Sequence, residues 1–143
     1  MPGTPFLLFD VRMADKQSER LGLRVLEALN ARDYDRVDDL TTENVQLRMP
    51  PGQVFYGRDG LREFFAQLEA QLPDLTMVAR KLHSGEDFAV IEYDTTGHTR
   101  SHPGEELQAM GCLVLELDGG ERVERVQLYL DTAQWQRITA GEI

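Results

Sequence analysis

The side chains of this chain that can move a proton, ligate a metal or attack carbon are few and scattered. His98 and His102 lie four apart, Glu92 and Asp94 two apart, and Arg48, Tyr93, Cys112 and Asp131 each stand alone. A histidine pair at that spacing shares one face of a helix and can chelate zinc. Here it runs into His102-Pro103-Gly104, a strand-to-loop passage, and no cysteine or well-placed acid completes a set, so no metal site is implied. Glu92 and Asp94 alternate with Ile91, Tyr93 and Thr95, which puts both carboxylates on one face of a strand and reads as a solvated or interface face rather than an acid/base pair. His83 precedes Ser84-Gly85 at a strand end and reads as exposed. Cys112 has nothing basic beside it in sequence to make it a thiolate, and reads either as a small hydrophobe or as a pocket residue. The Tyr93 hydroxyl can orient a carbonyl or simply reach water from a packed strand. Arg48 can clamp a carboxylate or enolate or be a solvated strand end, and Asp131 can titrate in a pocket mouth or cap a helix. No Ser-His-Asp order, phosphate-cradling glycine loop or dinucleotide fingerprint occurs, and no cofactor is implied.

These residues must be positioned by a single core, since 143 residues are too few for two. No apolar run approaches the roughly 20 residues of a membrane span, so no membrane partner is expected. A formal charge of −10, with 15 basic residues dispersed among 25 acidic ones, disfavours nucleic acid. The single cysteine excludes an intramolecular disulfide and fits a reducing, cytoplasmic setting. Phe6-Leu7-Leu8-Phe9 is too short for a signal segment and is followed by Asp10. Residues 1–12 are expected to be a loose extension before Met13-Ala14-Asp15-Lys16, leaving 13–143 as the domain.

Leu21, Val25, Ala28 and Leu29 predict a helix from about Asp15 to Ala31, capped by Asp15 or Ser18. Asp33 caps a second helix with Tyr34, Val37 and Leu40 on one face. Val45–Met49 alternates as a strand that stops at Pro50-Pro51-Gly52, and Val54-Phe55-Tyr56 reads as another. Leu61, Phe64, Phe65, Leu68 and Leu72 mark a third helix ended by Pro73. Four strand-like runs follow, Leu75–His83, Phe88–Thr99, Leu107–Leu117 and Arg122–Leu130, separated by breaks that carry Gly or Pro. Asp131 caps a closing helical turn with Trp135 and Ile138. Helices first and a curved antiparallel sheet after is an α+β pattern. In Leu107–Leu117 both alternating faces are largely apolar. One is therefore expected to lie under helices and the other under a second subunit, giving a homodimer through the sheet.

The helical hairpin, the Gly57-Arg58-Asp59-Gly60-Leu61-Arg62-Glu63-Phe64-Phe65 helix start, the meander and the last strand Val126-Gln127-Leu128-Tyr129-Leu130-Asp131-Thr132 resemble, in that order, the SnoaL-like branch of the nuclear-transport-factor-2-like superfamily. The resemblance implies a cone: a curved antiparallel sheet packed against three helices from the N-terminal half, enclosing an apolar pocket. It implies no single activity, because the superfamily holds polyketide cyclases, ketosteroid isomerases, limonene epoxide hydrolases and non-catalytic members. By the same resemblance, the acid/base of aldol-type cyclases would fall three residues before Asp131 of the closing Tyr129-Leu130-Asp131, at Leu128, and their partner histidine near Cys112. Epoxide hydrolases also place an acid where Leu128 stands. The isomerase base would fall at Arg48 before Met49-Pro50, and the isomerase tyrosine near Val25. Leucine moves no proton, and a guanidinium with a pKa above about 12 is no base.

Two readings follow. In the first, the cone binds a small hydrophobic molecule. Val25, Phe64, Leu68, Cys112 and Leu128 form its wall, with Leu29, Met110 and Val126 alongside, and Arg48 and Tyr93 orient the ligand. In the second, an isomerase, cyclase or dehydratase acts on a polyketide-, steroid- or terpenoid-like substrate through other residues: Tyr93 as acid, Asp131 or His98 as base, and Arg48 against an enolate. Leu128 discriminates between them. If the register were shifted by one, Gln127 or Tyr129 would enter the pocket instead.

Overall fold

The structure is a computed structural model that describes residues 16–119 and 121–143. The extension expected at residues 1–12 lies outside the described residues. Ten elements follow in order: α1 (Gln17–Asn30), α2 (Tyr34–Leu40), β1 (Thr41–Met49), β2 (Gln53–Tyr56), α3 (Gly57–Gln71), β3 (Thr76–Ser84), β4 (Phe88–His98), β5 (Glu106–Asp118), β6 (Arg122–Tyr129) and α4 (Thr132–Thr139). This is the α+β succession read from the sequence. None of the described helices is long and apolar enough to cross a membrane.

The caps of the short helices are those their sequences dictate. The Asp33 carboxylate accepts from the Arg36 N–H at 3.2 Å, and Asp131 accepts from the Gln134 N–H at 3.1 Å, each satisfying a donor that the first helical turn leaves free. Ser18 behaves otherwise. It is buried inside α1, and its hydroxyl donates to the Gly85 carbonyl at 2.7 Å, tying the helix to the β3–β4 turn instead of capping it. Beyond the predicted stripe, α1 also buries Leu23 and Leu26 completely, because the helix lies within the curl of the sheet rather than on a flat face.

Six strands form one sheet in the order β2-β1-β6-β5-β4-β3. Neighbours joined by short turns pair antiparallel, as a hairpin requires. β1 and β6, separated by most of the chain, pair parallel with Leu47 opposite Val126. Register breaks at Ala79/Lys81 and Glu116/Leu117 bend the ladder and give the sheet its curl. The concave face carries Ala79, Ile91, Leu113, Leu115, Val126 and Leu128, all buried against α1 and α3.

The glycine-flanked motif proves to be a joint. Gly57 has φ +73°, a left-handed turn that lets strand β2 pass directly into α3. At Gly60 a Cβ would stand 3.0 Å from the Phe55 backbone, so the first turn of α3 packs on β2 only because no side chain intervenes. Arg58 Nη2 donates to the Thr41 carbonyl at 2.7 Å, while Arg62 bridges Asp35 and Asp38 at 2.8 and 2.6 Å. Phe64 stacks at 5.2 Å from both Phe55 and Phe65. Every part of the motif serves the fold. β3 lies at the sheet's edge, where Asn30 at the end of α1 occupies both backbone groups of Met77. Its Nδ2 donates to Met77 O at 2.7 Å, and its Oδ1 accepts from Met77 N at 2.9 Å.

Candidate functional site

The concave face, the C-terminal half of α3 and helix α4 enclose an apolar cavity. Its walls come from Leu68 of α3 and Leu72 just after it, Met77 of β3, Leu113 of β5, Leu128 of β6 and Ile138 of α4. About 60 Å³ is open to the centre of a water molecule, within roughly 620 Å³ of space between atoms counted out through the mouth. Tyr93 and Thr95 bring hydroxyls to this wall, and Asp131, Gln134 and Trp135 of the α4 segment stand at it.

Tyr93 is the residue on which the chemistry turns. It projects from β4 onto the concave face beside Ile91 and Thr95 and is only 5% exposed. Its hydroxyl has no hydrogen-bond partner among the described residues. Burial pushes this phenol well above its ordinary value, with a smaller upward push from Cys112, so it stays protonated and is a donor, never a base. The hydroxyl occupies the space above Gly111, its partner across the β4–β5 ladder. A Cβ there would overlap the hydroxyl oxygen and Cζ. Gly111, inside β5, is thus the vacancy that receives Tyr93.

Leu128 faces the cavity and is buried, while Gln127 and Tyr129 turn to the convex side, where the Tyr129 hydroxyl lies 3.5 Å from Gln127 Oε1. The register is therefore the unshifted one, and no acid enters from β6. Leu68, Tyr93 and Leu128 come together at the cavity, joined by Leu29. Val25 and Phe64 do not reach it: both are packed in the solid core among α1, α3 and the sheet, as is Val126.

Two further candidates lie on the other side of the sheet. Arg48 is exposed on the convex face of β1, with Gln127 and Tyr129 beside it, because the inward position of that strand end belongs to Met49. It cannot orient a molecule in the cavity. Cys112 also faces outward, between Glu92 and Tyr129 on the neighbouring strands. The correction has a plain cause. Both faces of β5 are apolar, so composition does not say which one the helices cover, and Leu113, Leu115 and Leu117 take that face. Burial first, and Glu92 second, push the Cys112 thiol upward, which makes it less nucleophilic. Met110 is 79% exposed, at the rim, and touches both sides.

The histidines are apart from the cavity. His98 Nδ1 lies 2.7 Å from Asp74, whose other oxygen accepts the His98 backbone N–H at 2.7 Å. His98 is therefore no base for anything bound beside Tyr93. His83 Nε2 lies 3.0 Å from Glu92, and Arg80 pairs with Asp94, so the two carboxylates of β4 are engaged on the convex face. Among the described residues no three His, Cys, Asp or Glu side chains converge as a metal site would require. The sequence reading missed Thr95, Leu107, Ala109 and Trp135 as cavity residues. Simple alternation from Tyr93 points to Thr95, and the lone tryptophan in an amphipathic closing turn was the signal for Trp135.

With this geometry in view, the sequence matches the family model of the SnoaL-like domain over residues 23–125. The chain belongs to the SnoaL-like domain family. Solved structures of similar fold include a nuclear-transport-factor-2-like protein of unknown function from Burkholderia pseudomallei, 15% identical, covering 86% of this chain and 97% of that one with a TM-score of 0.77. TerC co-crystallised with polyporic acid is 16% identical and covers 87% and 99%, with a TM-score of 0.75. A protein with a ketosteroid isomerase-like fold from Catenulispora acidiphila, in complex with trimethylamine, is 17% identical and covers 78% and 85%, with a TM-score of 0.69. At these identities the likeness is one of fold. No curated protein matches the SnoaL-like chain in sequence.

Proposed function

We propose that this SnoaL-like protein binds a small, largely apolar molecule in the cavity, with the Tyr93 hydroxyl donating to a carbonyl or ether oxygen of the ligand. The observation that carries the reading is Tyr93 itself: a buried, protonated phenol lining an apolar cavity, whose hydroxyl has no protein partner among the described residues. A ligand oxygen can take the place of water at this hydroxyl, a neutral hydrogen bond worth about 0.5–1.5 kcal/mol. Two solved structures of similar fold contain small molecules, polyporic acid and trimethylamine, which fits a fold used for such ligands.

Binding is favoured over catalysis by what lines the cavity. Among the described residues, its titratable side chains are Tyr93 and Asp131, and Asp131 is engaged as the cap of α4. An isomerase or cyclase needs a base against the substrate, and Leu128 occupies the position where related cyclases would carry an acid. The enzyme reading keeps one foothold, since Asp131 and Tyr93 share the cavity. Turnover of a bound ketone that vanishes in Asp131→Asn would establish it. Native mass spectrometry of the protein purified from its own host tests the binding reading by revealing a co-purifying molecule.

The reading includes a homodimer through the convex face. Met110, Cys112 and Val114 give that face an apolar row, and ion pairs of opposite sign, Arg80–Asp94 and Arg125–Glu116, flank it. An isologous contact places the row against its copy and lets the flanking charges complement each other. Sedimentation velocity reads the mass directly.

A further inference from the structure

Trp135 stands between two hollows. On one side is the apolar cavity of Tyr93. On the other is a groove between α4, α3 and the β1–β2 turn, with about 450 Å³ open to water centres. Trp135 lines both. The groove differs in chemistry from the cavity. Its floor is apolar, from Pro51, Phe55 and Phe64, while Gln53, Gln67 and Gln136 present uncharged amides, and no Asp, Glu, Lys or Arg lines it among the described residues.

The cavity alone is small. At about 10–15 Å³ per water on this measure, 60 Å³ admits only a handful of waters, so one small ring seated there already reaches into the mouth. The partition that limits it is mounted on a weak support. Helix α4 has eight residues, too short to be stable by itself, and Ile138 is its one fully buried side chain. Moving the indole breaks its own packing against the core but draws along a helix held by one buried side chain.

We propose that the cavity and the groove are two halves of one binding site, separated by Trp135 in the ligand-free protein, and that the site takes a neutral, elongated molecule with an apolar, oxygen-bearing ring at one end and hydroxyl or amide groups at the other. The ring reaches Tyr93, and the polar end lies along the glutamines. Amides pair with neutral donors and acceptors but offer no counter-charge, so an anionic or cationic end gains nothing there. Trp135 then sets the length of ligand accepted. This inference rests on the proposed cavity binding, and the experiment separates the two.

Trp135 is the chain's single tryptophan, so its emission reports the partition directly. Three probes are titrated: acetophenone, which fills only the cavity; 4-acetylphenyl glucoside, which adds a neutral polyol; and 4-acetylphenyl phosphate, which adds charge. The glucoside is expected to bind roughly tenfold tighter than acetophenone, as two or so added hydrogen bonds allow, and to shift Trp135 emission to longer wavelength, while the phosphate shows no gain. Gln67→Ala with Gln136→Ala is expected to remove most of the glucoside's advantage. If acetophenone binds but the glucoside binds no tighter, the joined site is overturned and cavity binding stands. If the phosphate gains as much as the glucoside, the neutral ligand class is overturned. If none of the three binds, cavity binding fails and this inference with it.

Discussion

The hydroxyl of Tyr93 fills the place that a side chain at Gly111 would take, one strand away on the same concave face. The pair works as a knob and a vacancy: β5 gives up a side chain so that β4 can lay a phenol against the cavity wall. Gly111→Ala therefore forces the ring aside and is expected to destabilise the protein by about 1–3 kcal/mol, the usual cost of overpacking. In a Tyr93→Leu background the same alanine should cost far less. A double-mutant cycle by urea unfolding measures the coupling, and additive effects would mean that the two positions do not share the space.

Asn30 replaces a missing strand at the sheet's edge by gripping both backbone groups of Met77. Asn30→Ala leaves a buried N–H and a buried C=O unpaired and is expected to cost about 2–4 kcal/mol in chemical denaturation. Met77 is a wall of the cavity, so the same variant should also weaken any ligand found.

Asp74 and His98 supply a pH signature. The hydrogen bonds from His98, side chain first and backbone next, hold the Asp74 carboxyl below its ordinary value. Unfolded, Asp74 binds its proton at a higher pH than it does folded, so the pair's contribution is complete above a pH of about 4 and fades as pH falls through the depressed folded value. Both side chains are substantially exposed, which keeps the effect under about 1 kcal/mol. Thermal melts of the protein and of Asp74→Asn should differ at pH 6 and converge below pH 3. A difference that persists at the acid end would rule the pair out as the cause.

The convex face predicts its own outcome. Met110→Glu puts a carboxylate on an apolar row beside Glu92 and Asp94 and is expected to weaken self-association by roughly tenfold or more while leaving the monomer's melting temperature nearly unchanged. Sedimentation velocity over a concentration series reads this, and a monomeric parent protein would contradict the dimer.

Much of this architecture was legible in the sequence because it rests on local rules. Asp33 and Asp131 cap where residue type and position say they must, and the meander strands begin and end at the glycine- and proline-rich breaks. The orientation of β5 was not legible. Alternation separates Leu113 from Cys112, but with apolar residues on both faces only the packed helices decide which set is inside. That choice moved Cys112 out of the site, and the inward turn of Met49 did the same to Arg48. Ser18 carried the residue type of a cap, and a turn 67 residues away claimed its hydroxyl instead. The partition by Trp135 depends on where α4 comes to rest at the mouth of the cavity, a placement that no local pattern encodes.

On the binding reading, the Tyr93 hydroxyl serves a ligand. The direct measurement is the affinity of acetophenone for the parent protein and for Tyr93→Phe, by calorimetry. Loss of one neutral hydrogen bond predicts binding weaker by about 2- to 12-fold in the variant. Equal affinity in the two proteins would contradict the account.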